Sequence, residues 1–317
     1  MKRYLSISAC ILSLILFSAS ACKKSTPAPA ANVSPATASP TPDIEAALAV
    51  FTKQDKEAIR QNPDDPTNYY NLANAYFAAG KYPEAIEQYQ HSIRLDKKGE
   101  DYLSRFELGQ SYLRLDRYDE AFAAFTETLK LNPKYANVYN EMGNAYAKQK
   151  RTKEAVDAYQ KAISLKPDYA EAYFNLGDLY TNMEKTPEAI KAFEQVTRIQ
   201  PTHAQSYFNL GNLYTQSKRL PDSVKAFQQA TRLNPKDSDA FFNLGNSYSG
   251  LKQFDEAINA YQEAVKLKPN DAEAHLRLGV LHLEKGNREA ANAEYNTLKG
   301  MNPQLATLLN ERLNQQK

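Results

Sequence analysis

Apolar positions in this 317-residue chain follow a helical spacing, and the whole pattern recurs every 34 residues. The clearest copies are Tyr173-Phe174-Asn175-Leu176-Gly177, Tyr207-Phe208-Asn209-Leu210-Gly211 and Phe241-Phe242-Asn243-Leu244-Gly245, followed by Tyr180, Tyr214 and Tyr248. In each copy the aromatic, Leu, Gly and Tyr fall at i, i+3, i+4 and i+7, one stripe of an α-helix, which predicts a buried face. A second helix is predicted after it. Ala189, Phe193 and Val196 hold the spacing i, i+4, i+7 in one copy, and Ala257, Tyr261 and Ala264 hold it in another. Pro201, Pro235 and Pro269 then end the unit, because Pro keeps the preceding residue extended and cannot continue a helix. The unit is a helical hairpin, and the small residue at Gly143, Gly177, Gly211 and Gly245 lets its two helices approach closely. One hairpin cannot bury both of its faces, so the copies must stack on one another.

This order of aromatic, Leu-Gly, Tyr, Ala, aromatic, Ala and Pro resembles the tetratricopeptide (TPR) consensus. About seven copies run in phase, at residues 66–101, 102–135, 136–169, 170–203, 204–237, 238–271 and 272–305. The resemblance implies an all-α fold, a right-handed superhelical solenoid of about seven TPR helical hairpins with capping helices. Asp43 to Asn62, with Ile44, Leu48, Phe51 and Ile59, resembles the second half of a repeat and reads as an N-terminal capping helix within 43–65. Leu305, Leu308, Leu309 and Leu313 make 304–317 a C-terminal solvating helix. Three departures stand out. The first unit is two residues long for its class, with Lys97 where Pro is expected, which predicts a looser turn. Arg105 replaces the first aromatic of the second unit. In the seventh, His275 and His282 occupy both aromatic positions, as core substitutes or as metal ligands; no His-Glu-x-x-His arrangement accompanies them.

The N-terminus has a different grammar. Met1-Lys2-Arg3 precedes an apolar stretch from Tyr4 to Phe17, then Ser18-Ala19-Ser20-Ala21 and Cys22, the order of a secretory signal over 1–21. The stretch is short of the roughly 20 residues of a bilayer-spanning helix. Ala19-Ser20-Ala21-Cys22 resembles the lipobox of bacterial lipoproteins, which implies cleavage before Cys22 and a diacylglycerol on its thiol. Ala19 stands where that motif usually has Leu, so secretion with a free Cys22 stays open. The acylated Cys and a Pro/Ala/Ser/Thr-rich tether fill 22–42, which reaches on the order of 60 Å if extended. Lys23, rather than Asp, follows the Cys, favouring a lipid-anchored position in the outer membrane facing the periplasm. With Cys10 in the removed segment, Cys22 is the sole thiol, which leaves no intramolecular disulfide or thiolate metal cluster. The charge balance narrows the partners. The chain holds 39 Lys and Arg against 37 Asp and Glu, and Lys2 and Arg3 are the only charges in the leader. A near-neutral mature chain offers no electrostatic basis for nucleic-acid binding.

In TPR proteins the first helix of each hairpin lines the concave surface where partners bind. The face opposite the buried stripe comprises Asn140, Glu141, Asn144 and Lys148; Glu171, Phe174, Asn175 and Asp178; Gln205, Phe208, Asn209 and Asn212; and Asp239, Phe242, Asn243 and Asn246. Asn175, Asn209 and Asn243 recur once per unit. A carboxamide offers both donor and acceptor, so such a row suits the main chain of an extended peptide. Similar asparagine ladders occur in TPR superhelices that bind unstructured polypeptide, although Asn is also frequent there in ordinary TPR sequences. The co-chaperone clamp for a terminal carboxylate is missing, since its Lys position holds Tyr70, Phe106, Asn140, Phe174, Phe208, Phe242 and Leu276. Leu103, Phe106 and Leu113 at one end, and Leu276, Val280 and Leu283 at the other, are apolar, as partner patches, surfaces under a flanking helix, or sites of self-association. The sequence contains no Gly-rich phosphate loop, metal motif or nucleophile elbow, and no segment is left over for a catalytic domain. The expectation is a non-enzymatic, cofactor-free scaffold for a protein or peptide partner. Similar TPR lipoproteins assist secretins and pilus assembly or dock cell-wall hydrolases.

Overall fold

The computed structural model describes residues 42–315, with side chains from Ala49; the leader, Cys22 and nearly all of the tether lie outside them. The described residues form sixteen helices and no strand, in two compact units. The first unit, up to Arg151, holds α1 (Pro42–Gln61), the hairpins α2 (Pro66–Ala78) with α3 (Tyr82–Leu95) and α4 (Tyr102–Arg114) with α5 (Tyr118–Leu131), and α6 (Ala136–Lys148). The second, from Thr152, opens with α7 (Thr152–Leu165). It continues through the hairpins α8 (Ala170–Asn182) with α9 (Thr186–Ile199), α10 (Ala204–Gln216) with α11 (Leu220–Leu233), α12 (Ser238–Gly250) with α13 (Phe254–Leu267), and α14 (Ala272–Glu284) with α15 (Arg288–Met301). It closes with α16 (Pro303–Gln315). No helix among the described residues is long and apolar enough to cross a membrane.

Local chemistry fixes where these helices start and stop. Asp237 accepts from the amides of Asp239 and Ala240, Asp271 from Ala274 and His203 from Ser206, so side chains take up otherwise orphaned N–H groups. Each first helix ends in a left-handed residue: Gly80, Asp116, Lys150, Glu184, Lys218, Lys252 and Gly286 all have positive φ. After Lys218, for example, the Arg219 amide returns to the Tyr214 carbonyl at 2.8 Å, closing the Schellman turn. Apart from α3, which is followed by Asp96 and Lys97, the second helices leave the helical conformation just before a Pro, as at Asn234 with φ −127° and ψ 83°.

Close packing inside a hairpin rests on glycine facing an aromatic ring. A Cβ added to Gly211 would stand 2.6 Å from the Phe227 ring, and one on Gly245 would stand 2.7 Å from Tyr261. Phe193, Phe227 and Tyr261, one per hairpin, are buried almost completely. Neighbouring hairpins are tied by the later tyrosine. The Tyr214 hydroxyl donates to Glu194 at 2.8 Å with the Arg219 guanidinium stacked 4.5 Å from its ring centre, and Gln228 donates to the Tyr248 hydroxyl at 2.6 Å. This geometry draws each phenol toward the hairpin edge. Tyr214 is buried as its position in the stripe predicts, whereas Tyr180 and Tyr248 are only half-buried.

The departures from the repeat pattern are structured. The expected looseness after α3 is absent. Asp96 accepts from the amides of Gly99 and Asp101 at 3.1 and 2.8 Å, and the Arg105 guanidinium reaches both Asp96 and the Asp101 carbonyl. Arg105 thus brings a cation to the longer turn at a position where most of the repeats carry an aromatic. His275 is buried, with Nδ1 2.5 Å from the Glu294 carboxylate of α15 and Nε2 3.1 Å from the Pro269 carbonyl, while His282 is half-buried. At the C-terminus α16 covers the last hairpin: Ala306, Leu309 and Leu313 join Leu276, Leu283 and Leu298 in one apolar cluster. Leu308, assigned with them by its spacing, points outward and is 42% exposed.

Candidate functional site

The first helices α8, α10 and α12 turn their buried stripe, Leu176, Leu210 and Leu244, toward the second helices and leave the opposite face open. On that face Glu171, Gln205, Asn212 and Asp239 are exposed, and Asn175, Asp178, Asn209, Asn243 and Asn246 are half-buried. Phe174, Phe208 and Phe242 are half-buried too, because their rings lean into the hairpin, edge-on or tilted against Phe193, Phe227 and Tyr261 at 5.6, 5.8 and 5.5 Å. They form the floor of the face rather than its rim. The same lean corrects the placement of Asn140. It occupies the position of these phenylalanines one repeat earlier and is completely buried, so it does not belong to an open surface. Asn144 is half-buried and donates to Glu141 at 3.3 Å.

A hydrogen bond joins the first helices of neighbouring repeats, a connection the spacing alone does not reveal. Asn209 donates from Nδ2 to Asp178 Oδ1 at 3.3 Å and accepts at Oδ1 from Gln205 Nε2 at 3.0 Å. Asn246 donates to Asn243 Oδ1 at 3.4 Å and accepts the Tyr261 hydroxyl proton at 2.7 Å. Each carboxamide has two N–H bonds and two lone pairs, so Asn209 keeps one of each for a ligand while being held in place by the others. Burial pushes the Asp178 carboxyl up to about 6, with no cation among the causes. Phe193, at the position equivalent to Tyr261 two repeats earlier, has no hydroxyl to offer, whereas Tyr261 supplies one to Asn246. In the first unit Asn74 likewise accepts from Tyr89 at 2.6 Å, and burial, reinforced by Glu141, pushes Glu107 up to about 7.

The two apolar ends do not extend the site. Phe106 and Leu113 are buried in the core of the first unit, and Leu276 and Leu283 lie beneath α16. Among the described residues no group of three or more His, Cys, Asp or Glu is placed to hold a metal ion.

Stacked helical hairpins with an open, amide-rich face on their first helices define an all-α superhelical repeat scaffold for protein–protein interaction. The chain belongs to the tetratricopeptide repeat family: the TPR family described as the cilia and flagella-associated protein 70 C-terminal domain matches residues 101–301, and a second one, described as tetratricopeptide repeat, matches 64–134. Among solved structures it is similar to YrrB, described as a TPR protein with an unusual peptide-binding site, at 26% identity and a TM-score of 0.55 over 59% of this chain and 98% of YrrB. MamA is 25% identical with a TM-score of 0.49, over 52% of this chain and 90% of MamA. Yeast Tom70 is 18% identical with a TM-score of 0.49, over 86% of this chain and 60% of Tom70. No curated protein sequence matches the chain significantly.

Proposed function

We propose that this protein is a lipid-anchored, non-catalytic scaffold of a bacterial cell envelope that binds an extended polypeptide along the open faces of α8, α10 and α12. The carrying observation is the row Asn175, Asn209 and Asn243, one carboxamide per repeat, with Asn209 pre-oriented between Gln205 and Asp178. An amide held in place with a spare donor and acceptor, as at Asn209, can pair with a peptide main chain whatever its side chains, and being held in place lowers the ordering cost of binding. Similarity to YrrB, which has a peptide-binding site of its own, supports this reading. Changing all three asparagines to Ala is expected to weaken binding of an unstructured peptide by roughly 1.5–4.5 kcal/mol, at about 0.5–1.5 per net hydrogen bond. The fold should survive, because none of the three belongs to the buried core. Fluorescence anisotropy and thermal melts of the full chain measure both; unchanged affinity with an intact fold defeats the reading.

The anchor rests on the order of the leader and on Cys22 as the remaining thiol. The two acyl chains of a diacylglycerol on the Cys22 thiol would hold the protein firmly, and the tether would let the repeats stand off the bilayer. Mass spectrometry of the mature N-terminus is expected to find Cys22 as the first residue, carrying lipid. An unmodified Cys22 would remove the anchor and leave a secreted scaffold.

A further inference from the structure

The first helices that carry the asparagine row hold charge of one sign only. The three first helices α8, α10 and α12 contain Glu171, Asp178 and Asp239 and no Lys or Arg. Their partner helices α9, α11 and α13 carry both signs in near balance, with Lys191, Arg198, Lys225, Arg232 and Lys266 interspersed among acids such as Glu188, Glu194 and Glu256. The first helices are thus acidic and free of cations, in a chain that is close to neutral as a whole. Glu171 and Asp239 are exposed on this face, and Asp178 is half-buried with Asn209 donating to it. Burial raises the Asp178 carboxyl, and an incoming cation would restore part of the interaction lost with water. Between the acids, the half-buried rings of Phe174, Phe208 and Phe242 offer apolar floor.

We infer that the segment taken up by α8, α10 and α12 is a cationic one: an extended polypeptide stretch whose Lys or Arg side chains meet Glu171, Asp178 and Asp239 while apolar side chains rest on the phenylalanines. The inference rests on the groove reading above and adds the chemistry of the occupant. Charge complementarity of this kind acts on partner choice and association rate, and it weakens with salt.

The test uses the full chain and three unstructured peptides identical except for Lys, Gln or Glu at the same positions, with affinities read by anisotropy at low and raised salt. The Lys peptide is expected to bind about tenfold tighter than the Gln peptide at low salt, the effect of a few exposed ion pairs, and the Glu peptide more weakly than either. Asp178→Asn with Asp239→Asn should erase the Lys advantage over the Gln peptide. The exposed pair Glu171→Gln with Asp239→Asn, which leaves the Asp178–Asn209 bond in place, should halve it or more. Removing two acids of the second helices, Glu188→Gln with Glu256→Gln, should preserve it. Equal binding of the Lys and Gln peptides, or an advantage that survives both groove variants, overturns the inference. If binding is then still lost in the triple asparagine variant, the groove reading stands and only the charge assignment falls. Binding that ignores the asparagines, or no binding by any peptide, overturns both.

Discussion

Replacing Phe227 with Ala is expected to destabilise the second unit by about 3–5 kcal/mol, the cost of deleting a buried aromatic from a core that relaxes only partly. Phe227 is fully buried, packs with Val224, Leu244 and Ala260, and meets the Phe208 ring edge-on at 5.8 Å. Its ring also fills the space left by Gly211, where an added Cβ would come within 2.6 Å. Removing the ring therefore opens a void between α10 and α11. The converse change, Gly211→Ala, should cost about 1–3 kcal/mol, because the new methyl has to displace an aromatic that is already enclosed. Asn212→Ala, one residue along on the exposed side, should stay within about 0.5 kcal/mol. Urea melts followed by circular dichroism give all three values. A Phe227 variant as stable as the Asn212 variant would show that the hairpins are not held together through this ring.

Ending the chain at Pro303 is expected to strip the last repeat of its cover and to cost on the order of 5 kcal/mol there, from two leucines at about 1.5–3 each plus the partner surface re-exposed. Leu309 and Leu313 are buried against Leu276, Leu283 and Leu298, and Leu309 is the side chain facing Gly279. In other hairpins the second helix supplies the ring opposite the glycine; in the last one α16 supplies that contact. Loss of α16 therefore removes an internal contact of the hairpin as well as its lid. In a stack of nearest-neighbour units the terminal one then frays while its inner neighbours persist. Hydrogen exchange is expected to rise across α14 and α15 and to change little in α10 and α11. A truncated chain with native protection at α14, and undiminished solubility, would mean that the last hairpin is stable without a cap.

The hairpins could be read in the linear sequence because their determinants are local and repeated. The i, i+3, i+4, i+7 stripe, the glycine opposite an aromatic and the closing Pro each act within one 34-residue unit. Their recurrence identified the TPR family without any information on contacts. It also located the asparagine row, since a side chain's angular position on a helix follows from its number. Tertiary packing decided the rest. The direction in which a ring leans depends on the aromatic across the hairpin, so Phe174 and its counterparts became a half-buried floor and Asn140 a buried residue. The turn after α3 is firm because Arg105 reaches back to Asp96, a pairing of two departures that look unrelated in sequence. Which asparagines hold which acids, and which apolar ends lie beneath a flanking helix, depend on neighbours tens of residues away. Spacing fixes the face on which a side chain stands; its hydrogen-bond partner and its burial are set by what the next hairpin brings against it.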